Sequence, residues 1–149
     1  MVYRLRFRER IPLKDNKYLL RLIKRNLGRY PSAKGLSDKR ILELLNEYSR
    51  VILLTEPNGR RVGFLSWTEK DKILFLELCV IEEKYQRKGI ATHYLQHLED
   101  YAMRRQFESL QFYVDKENTE AYELYRRFGF LPLPTPAYAP TILMGKKLL

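Results

Sequence analysis

LCVIEEKYQRKGIA, residues 78–91, holds the end of one apolar run, a charged turn and the start of an amphipathic run. Its first half closes Ile73–Ile81 (ILFLELCVI), which is broken only by Glu77, as expected of a central strand. Its second half opens Ile90–Gln106, where Ile90, Tyr94, Leu98, Tyr101 and Ala102 recur at helical spacing. The segment between them, Gln86–Ala91 (QRKGIA), is therefore the loop and first turn of a helix that follows a strand. Backbone N–H groups and the positive end of the helix dipole converge at such a turn, and Gly89 lets the backbone approach an anion with no Cβ in the way. Arg87 and Lys88 add side-chain charge suited to phosphates. A basic loop that merely starts a helix would read the same in isolation; the strand before it and the helix after it favour the anion cradle.

Outward from this turn the pattern continues. Leu110–Val114 is a short strand, which makes a parallel crossover with Ile73–Ile81 and the intervening helix. Thr119–Phe128 reads as a helix stopped by Gly129, and the proline-rich Leu131–Pro140 leads to a last strand at Thr141–Lys147. Upstream, Val51–Thr55 and Val62–Trp67 are β-prone runs joined through Pro57, Asn58 and Gly59, a hairpin signal. Tyr3–Arg8 alternates apolar and basic residues, which puts Arg4, Arg6 and Arg8 on one wet face of a strand. After Pro12 and Asp15, Leu19, Leu22, Ile23 and Leu27 mark a helix with Gly28 as its stop. Ser37 is the expected N-cap of a second helix with a core stripe of Ile41, Leu44, Leu45 and Tyr48. The expected fold is α/β in the broad sense (α+β): a mixed, mostly antiparallel central sheet with one parallel βαβ crossover and helices on both faces. Residues 1–149 are expected to form a single domain, with no internal repeat.

Hydrophobic residues make up 45% and charged residues 31% of the chain, which fits neither a disordered nor a fibrous protein. No stretch reads as a membrane span or a secretory signal, since Pro132, Pro134, Pro136 and Pro140 interrupt the longest uncharged segment. Cys79 is the only cysteine, so no internal disulfide forms and a cytoplasmic location is expected. The net charge of +10 attracts polyanions in general, whether a phosphorylated cofactor, an acidic protein face or nucleic acid. No recognised nucleic-acid motif accompanies it. His93 and His97 stand four apart on one helix, but no third ligand goes with them, and no metal is expected.

Gln86, Gly89 and Ala91 match the (Q/R)xxGx(G/A) motif of the GNAT superfamily of acetyl-CoA-dependent N-acetyltransferases, and NTEAYELYRRFGF, residues 118–130, resembles that family's next motif. The resemblance runs through nearly the whole order of elements and implies a GNAT-like fold with acetyl-CoA as acyl donor and an amine as acceptor. It implies that Leu78, Cys79 and Val80 pair with the pantetheine arm like an added strand. It also implies that Gln86, Arg87, Lys88, Gly89, Ile90, Ala91 and Thr92 hold the pyrophosphate. Asn118 matches an asparagine that touches the pantetheine arm, although a helix N-cap would look the same. Tyr125 falls at the family's frequent tyrosine position and is the expected general acid towards the departing thiolate.

Glu77 is the candidate base, because a lone carboxylate on a buried strand is costly unless it faces water, a partner or a site. A subset of the family carries a glutamate where this chain has Tyr113, so that version of the mechanism does not transfer. A backbone N–H near Cys79 or Val80 would stabilise the oxyanion formed on attack. Cys79 has no activating histidine cue, which favours direct transfer. The alternatives are a non-catalytic acyl-CoA-binding module and, from the basic balance, a nucleic-acid-binding protein. A homodimer is an admissible assembly. The acceptor itself stays open among peptide N-termini, lysines and small-molecule amines.

Overall fold

The computed structural model describes residues 4–26 and 35–149. Its elements are β1 (Arg6–Glu9), α1 (Pro12–Arg25), α2 (Asp38–Glu47), β2 (Arg50–Thr55), β3 (Arg61–Lys70), β4 (Ile73–Ile81), α3 (Ile90–Arg104), β5 (Ser109–Asp115), α4 (Thr119–Arg127), β6 (Leu131–Pro132) and β7 (Thr141–Lys147), with a 3-10 turn at Glu83–Tyr85. The strands form one seven-stranded sheet in the order β1-β2-β3-β4-β5-β7-β6. Every neighbouring pair is antiparallel except β4–β5, the expected crossover. Helices α1 and α2 bury Leu19, Leu22, Ile41 and Leu45 against Val51, Leu53, Phe64 and Val80 on one face, while α3 and α4 pack over Ile52, Leu65, Leu74, Leu110 and Phe112 on the other.

Local chemistry explains the element ends. The Ser37 hydroxyl accepts the Arg40 N–H at 3.1 Å, the expected N-cap of α2. Helix α3 stops at Arg104 rather than Gln106, because Gln106 turns left-handed (φ 63°) and the Phe107 N–H closes back on the Ala102 carbonyl. Strand β6 has no counterpart in the sequence reading: it is two residues long and ends in a proline. In α2, Leu42 takes the packing place expected of Leu44. Tyr3, Leu27 and Gly28, assigned from sequence to the first strand and to the first helix and its stop, lie outside the described residues.

The first strand corrects the wet face expected of Arg4, Arg6 and Arg8. Arg8 turns towards α1 and its guanidinium makes two hydrogen bonds, of 2.8 and 2.9 Å, with the Asp15 carboxylate. Asp15 is fully buried, and it also accepts the Ile11 N–H at 2.7 Å and Arg61 at 3.2 Å. Burial opposes ionisation here, but the hydrogen bonds from Arg8, Ile11 and Arg61 outweigh it and hold the carboxyl below its usual pKa. Every lone pair of a buried charge is thus occupied, and the edge strand, the start of α1 and β3 are tied at one point.

Asp15→Asn keeps the shape but leaves two arginines without their charge partner. It is expected to cost about 3–5 kcal/mol in urea unfolding at pH 7, the usual penalty for breaking a buried pair. Because the folded pKa is depressed, the contribution of Asp15 is complete above the ordinary carboxylate value of about 3.9 and is lost as pH falls through the lower folded value. The gap between wild type and variant should therefore close in acid.

Candidate functional site

Strand β4 carries one residue more than the stretch of β3 opposite it. Ser66 pairs with Leu78 and Trp67 with Leu76, so Glu77 is the unpaired residue of a β-bulge. The bulge shifts the side-chain alternation. Leu74 and Leu76 before it point to the α3 side, Leu78 and Val80 after it to the α1–α2 side, and Cys79 and Ile81 to the α3 side again. Glu77 therefore shares the α1–α2 face with Phe75.

The same bend ends the parallel pairing. Strand β4 meets β5 only at Ile73, Leu74 and Phe75, opposite Ser109, Leu110 and Gln111. From Glu77 onwards the β5-facing edge of β4 stands open. Which peptide groups face that opening follows from the antiparallel register. The Glu82 N–H donates to the Val62 carbonyl at 2.9 Å, so Val80 and Leu78, at alternate positions, also turn their peptide groups to β3. Cys79 and Ile81 turn theirs to the opening. Val80, expected from sequence to supply a backbone donor, has its amide towards β3 and its side chain in the core, at 2% exposure.

The opening leads to the turn before α3. The Gln86 side-chain amide donates to the Ile81 carbonyl at 2.8 Å, which fastens the turn to the end of β4. Arg87 (φ 62°) and Gly89 (φ 76°) are both left-handed, and Gly89 occupies the N-cap of α3. The first intrahelical bond runs from the His93 N–H to the Gly89 carbonyl, so the amides of Ile90, Ala91 and Thr92 have no acceptor within the helix. Arg87, Lys88 and Ala91 are exposed. A Cβ on Gly89 would meet nothing within 4 Å: it would stand in the open mouth of the cradle. Such a turn fits a pyrophosphate, and the edge of β4 beyond its pairing with β5 fits an extended amide-bearing chain.

Two ionisable side chains flank the opening from opposite faces. Tyr125, on α4, packs edge-on against Phe112 with ring centroids 4.6 Å apart, and no residue among those described hydrogen-bonds its hydroxyl. Burial, and then the nearby Cys79, push its pKa up to about 12, so it keeps its proton at neutral pH. Glu77, on the other face, is half-buried and accepts the Thr68 hydroxyl at 3.3 Å. Burial raises its pKa, and the Thr68 hydrogen bond offsets this only in part. Tyr48, just past the end of α2, is pushed up to about 12 by burial and then by the charge of Glu77.

Asn118 caps α4, its side chain accepting the Ala121 N–H at 3.1 Å. Burial pushes the Cys79 thiol up to about 12. His93 and His97 sit with their Nε2 atoms 3.0 Å apart on the exposed face of α3, and among the described residues no group of three or more His, Cys, Asp or Glu could hold a metal ion. Among the described residues no helix is long and apolar enough to cross a membrane. Nothing in the sequence marked Tyr48, Thr68 or Ile81 as site residues, although Tyr48 was expected in the core stripe of the second helix and Ile81 in the central strand. They come to the site through register and packing.

The sequence profile of the Acetyltransferase (GNAT) family matches residues 16–130. No curated protein sequence matches the chain significantly. Among solved structures the fold is similar to Ard1 from Thermoplasma volcanium, with a TM-score of 0.77 and 22% identity over 97% of this chain and 98% of that one. It is similar to the ribosomal-protein-S18-alanine N-acetyltransferase from Escherichia coli, with a TM-score of 0.76 and 22% identity over 97% and 94% of the two chains. The spermidine N-acetyltransferase from Vibrio cholerae, in complex with CoA and spermine, gives a TM-score of 0.78 and 19% identity over 97% and 95%. At these identities the likeness is one of fold.

Proposed function

The chain belongs to the GNAT family of acetyl-CoA-dependent N-acetyltransferases, and from that premise we propose how its own residues divide the work. The observation that carries the proposal is the opening beside β4, with the Cys79 and Ile81 peptide groups facing it and the Gly89 turn at its end. The pantetheine arm of acetyl-CoA pairs with these peptide groups as an added strand. The pyrophosphate lies on the amides of Ile90, Ala91 and Thr92, with Arg87 and Lys88 adding charge, while Gln86 holds the turn in place. The Cys79 N–H is the donor that polarises the thioester carbonyl, since the Val80 N–H faces the other way.

The amine approaches from the α1–α2 face, where Glu77 takes its proton. The new N–C bond forms as the C–S bond breaks, and the thiolate receives a proton from Tyr125 on the opposite face. A base with a raised pKa is closer to that of the amine, and an acid with a raised pKa stays protonated until the thiolate develops. Both shifts have the sign the reaction needs. A non-catalytic coenzyme-binding module would have no use for Glu77 at the opening. The nucleic-acid reading loses support because Arg8 is committed to Asp15.

Gly89→Val tests the cradle. No clash is expected, but the left-handed backbone is strained for a β-branched residue by about 1–3 kcal/mol. Acetyl-CoA affinity, followed by isothermal titration, should fall by about tenfold or more, the equivalent of one charge-assisted hydrogen bond. A folded variant with wild-type affinity would place the pyrophosphate elsewhere.

Glu77→Gln should depress kcat/KM most in the window above the raised Glu77 pKa and below the pKa of the amine; the gap should close in acid, where the wild-type carboxyl is itself protonated, and narrow again as pH rises towards the pKa of the amine. A pH profile unchanged in shape and height would make Glu77 structural.

Tyr125→Phe keeps the ring and removes only the proton donor. Where proton transfer limits turnover, kcat should fall by roughly 10² to 10⁴ with little change in acetyl-CoA affinity or melting temperature. Wild-type turnover in this variant would leave Tyr125 as a packing residue.

A further inference from the structure

Helices α1 and α2 cover only part of their face of the sheet. They bury side chains of β2, β3 and the end of β4, whereas Tyr113, which points to the same face from β5, is 56% exposed. Its ring meets that of Phe75 edge-on, with centroids 5.3 Å apart and planes at 61°. Because of the bulge, Phe75 and Glu77 lie on this face together, with Thr68 bonded to Glu77. The outcome is a half-uncovered strip, Glu77, Phe75 and Tyr113, that starts at the opening beside β4.

Exposed aromatic rings beside a partly dehydrated carboxylate favour an organic cation. Ring faces attract an ammonium ion and pack against its methylenes, and the carboxylate supplies the counter-charge. The chain carries a net charge of +10, which does not draw in cations as a whole, so the counter-charge for an ammonium ion has to be local, and Glu77 supplies it here. The acid–base balance points the same way. An alkylammonium ion, with a pKa of about 10.4, arrives protonated and needs a base, whereas a peptide α-amine, at about 7.7–8.0, is largely neutral in mild alkali without one.

We propose that this strip receives the acceptor as an unhindered alkylammonium ion, of the kind that ends a lysine side chain or a linear diamine. Phe75 and Tyr113 hold the ammonium group and its methylenes, and Glu77 pairs with it before accepting its proton. The inference rests on the acetyltransferase reading above and adds the class of acceptor.

The test is steady-state kinetics with acetyl-CoA and three probes: Nα-acetyl-lysine methylamide, 1,4-diaminobutane, and trialanine amide with a free α-amine. Both alkylamines should be used with kcat/KM about tenfold or more above that of the peptide, and their relative order tells protein lysine from free diamine as the source. Phe75→Leu and Tyr113→Leu keep apolar bulk without a π face. Each should raise the alkylamine KM by about 2- to 30-fold, the range expected for a cation–π contact. The KM for acetyl-CoA and the melting temperature should stay at wild-type values.

Preference for the peptide, or folded Leu variants with unchanged alkylamine KM, overturns the inference and leaves the acetyltransferase reading standing. A protein that is stabilised by acetyl-CoA but acetylates none of the three also overturns it. If acetyl-CoA neither raises the melting temperature nor supports turnover with any probe, the acetyltransferase reading fails first and the inference with it.

Discussion

One extra residue in β4 governs the site. A sheet whose central strands matched residue for residue would carry the β4–β5 ladder to its end, and every N–H on that edge would be used. The bulge at Glu77 stops the ladder after Phe75, and three consequences follow together. The β5-facing edge of β4 turns the Cys79 and Ile81 peptide groups towards the opening. The side-chain phase slips, which turns a carboxylate to the face where an acceptor can reach it. The strand end is bent towards the turn that Gln86 fastens and Gly89 opens. A substitution that restored regular pairing would remove donor site, base and cradle geometry at once, so these are not separable parts.

The bulge is tolerable because the rest of the sheet is held firmly. Both faces of β2–β4 are packed, with Leu53, Phe64 and Leu74 fully buried. At the edge, where β1 is only four residues long, apolar burial is thin: Phe7 is 46% exposed even though its ring meets Tyr94 at 5.0 Å. The Asp15 cluster supplies there what packing does not. One carboxylate accepts from the edge strand, from β3 and from the first turn of α1, so it fixes α1 on the sheet.

The sequence disclosed whatever is local. Ile73–Ile81, the start of α3 and the Ser37 cap each rest on a contiguous pattern, and each stands where the pattern put it. What it could not disclose is register. In ILFLELCVI apolar residues occupy both phases, so a one-residue slip leaves no mark on the pattern; Glu77 stood out as a lone charge, but nothing near it marked a bulge. The choice of Cys79 and Ile81 over Val80 depends on which β3 residues lie opposite. Arg8 was read as solvated because its partner lies across a turn, on a helix face that periodicity assigns no depth. Thr68 bonds to Glu77 and Tyr48 feels its charge from two other elements, so no spacing along the chain relates the three.

The two faces of the sheet also decide between direct transfer and an acyl-enzyme. Cys79 has its side chain on the α3 side of the opening, near Tyr94 and Tyr125, where a nucleophilic thiol would be well placed. Burial pushes its pKa up to about 12, so the thiol keeps its proton at pH 7. Glu77, the group that raises nucleophilicity, lies on the opposite face and cannot serve that thiol. In the proposed division of work, the base therefore activates a molecule arriving from the α1–α2 side, while the acid stands on the α4 side for the group that leaves. Attack and departure on opposite faces need no covalent relay through the strand between them, and the proposed mechanism accordingly uses the backbone of Cys79 rather than its sulfur.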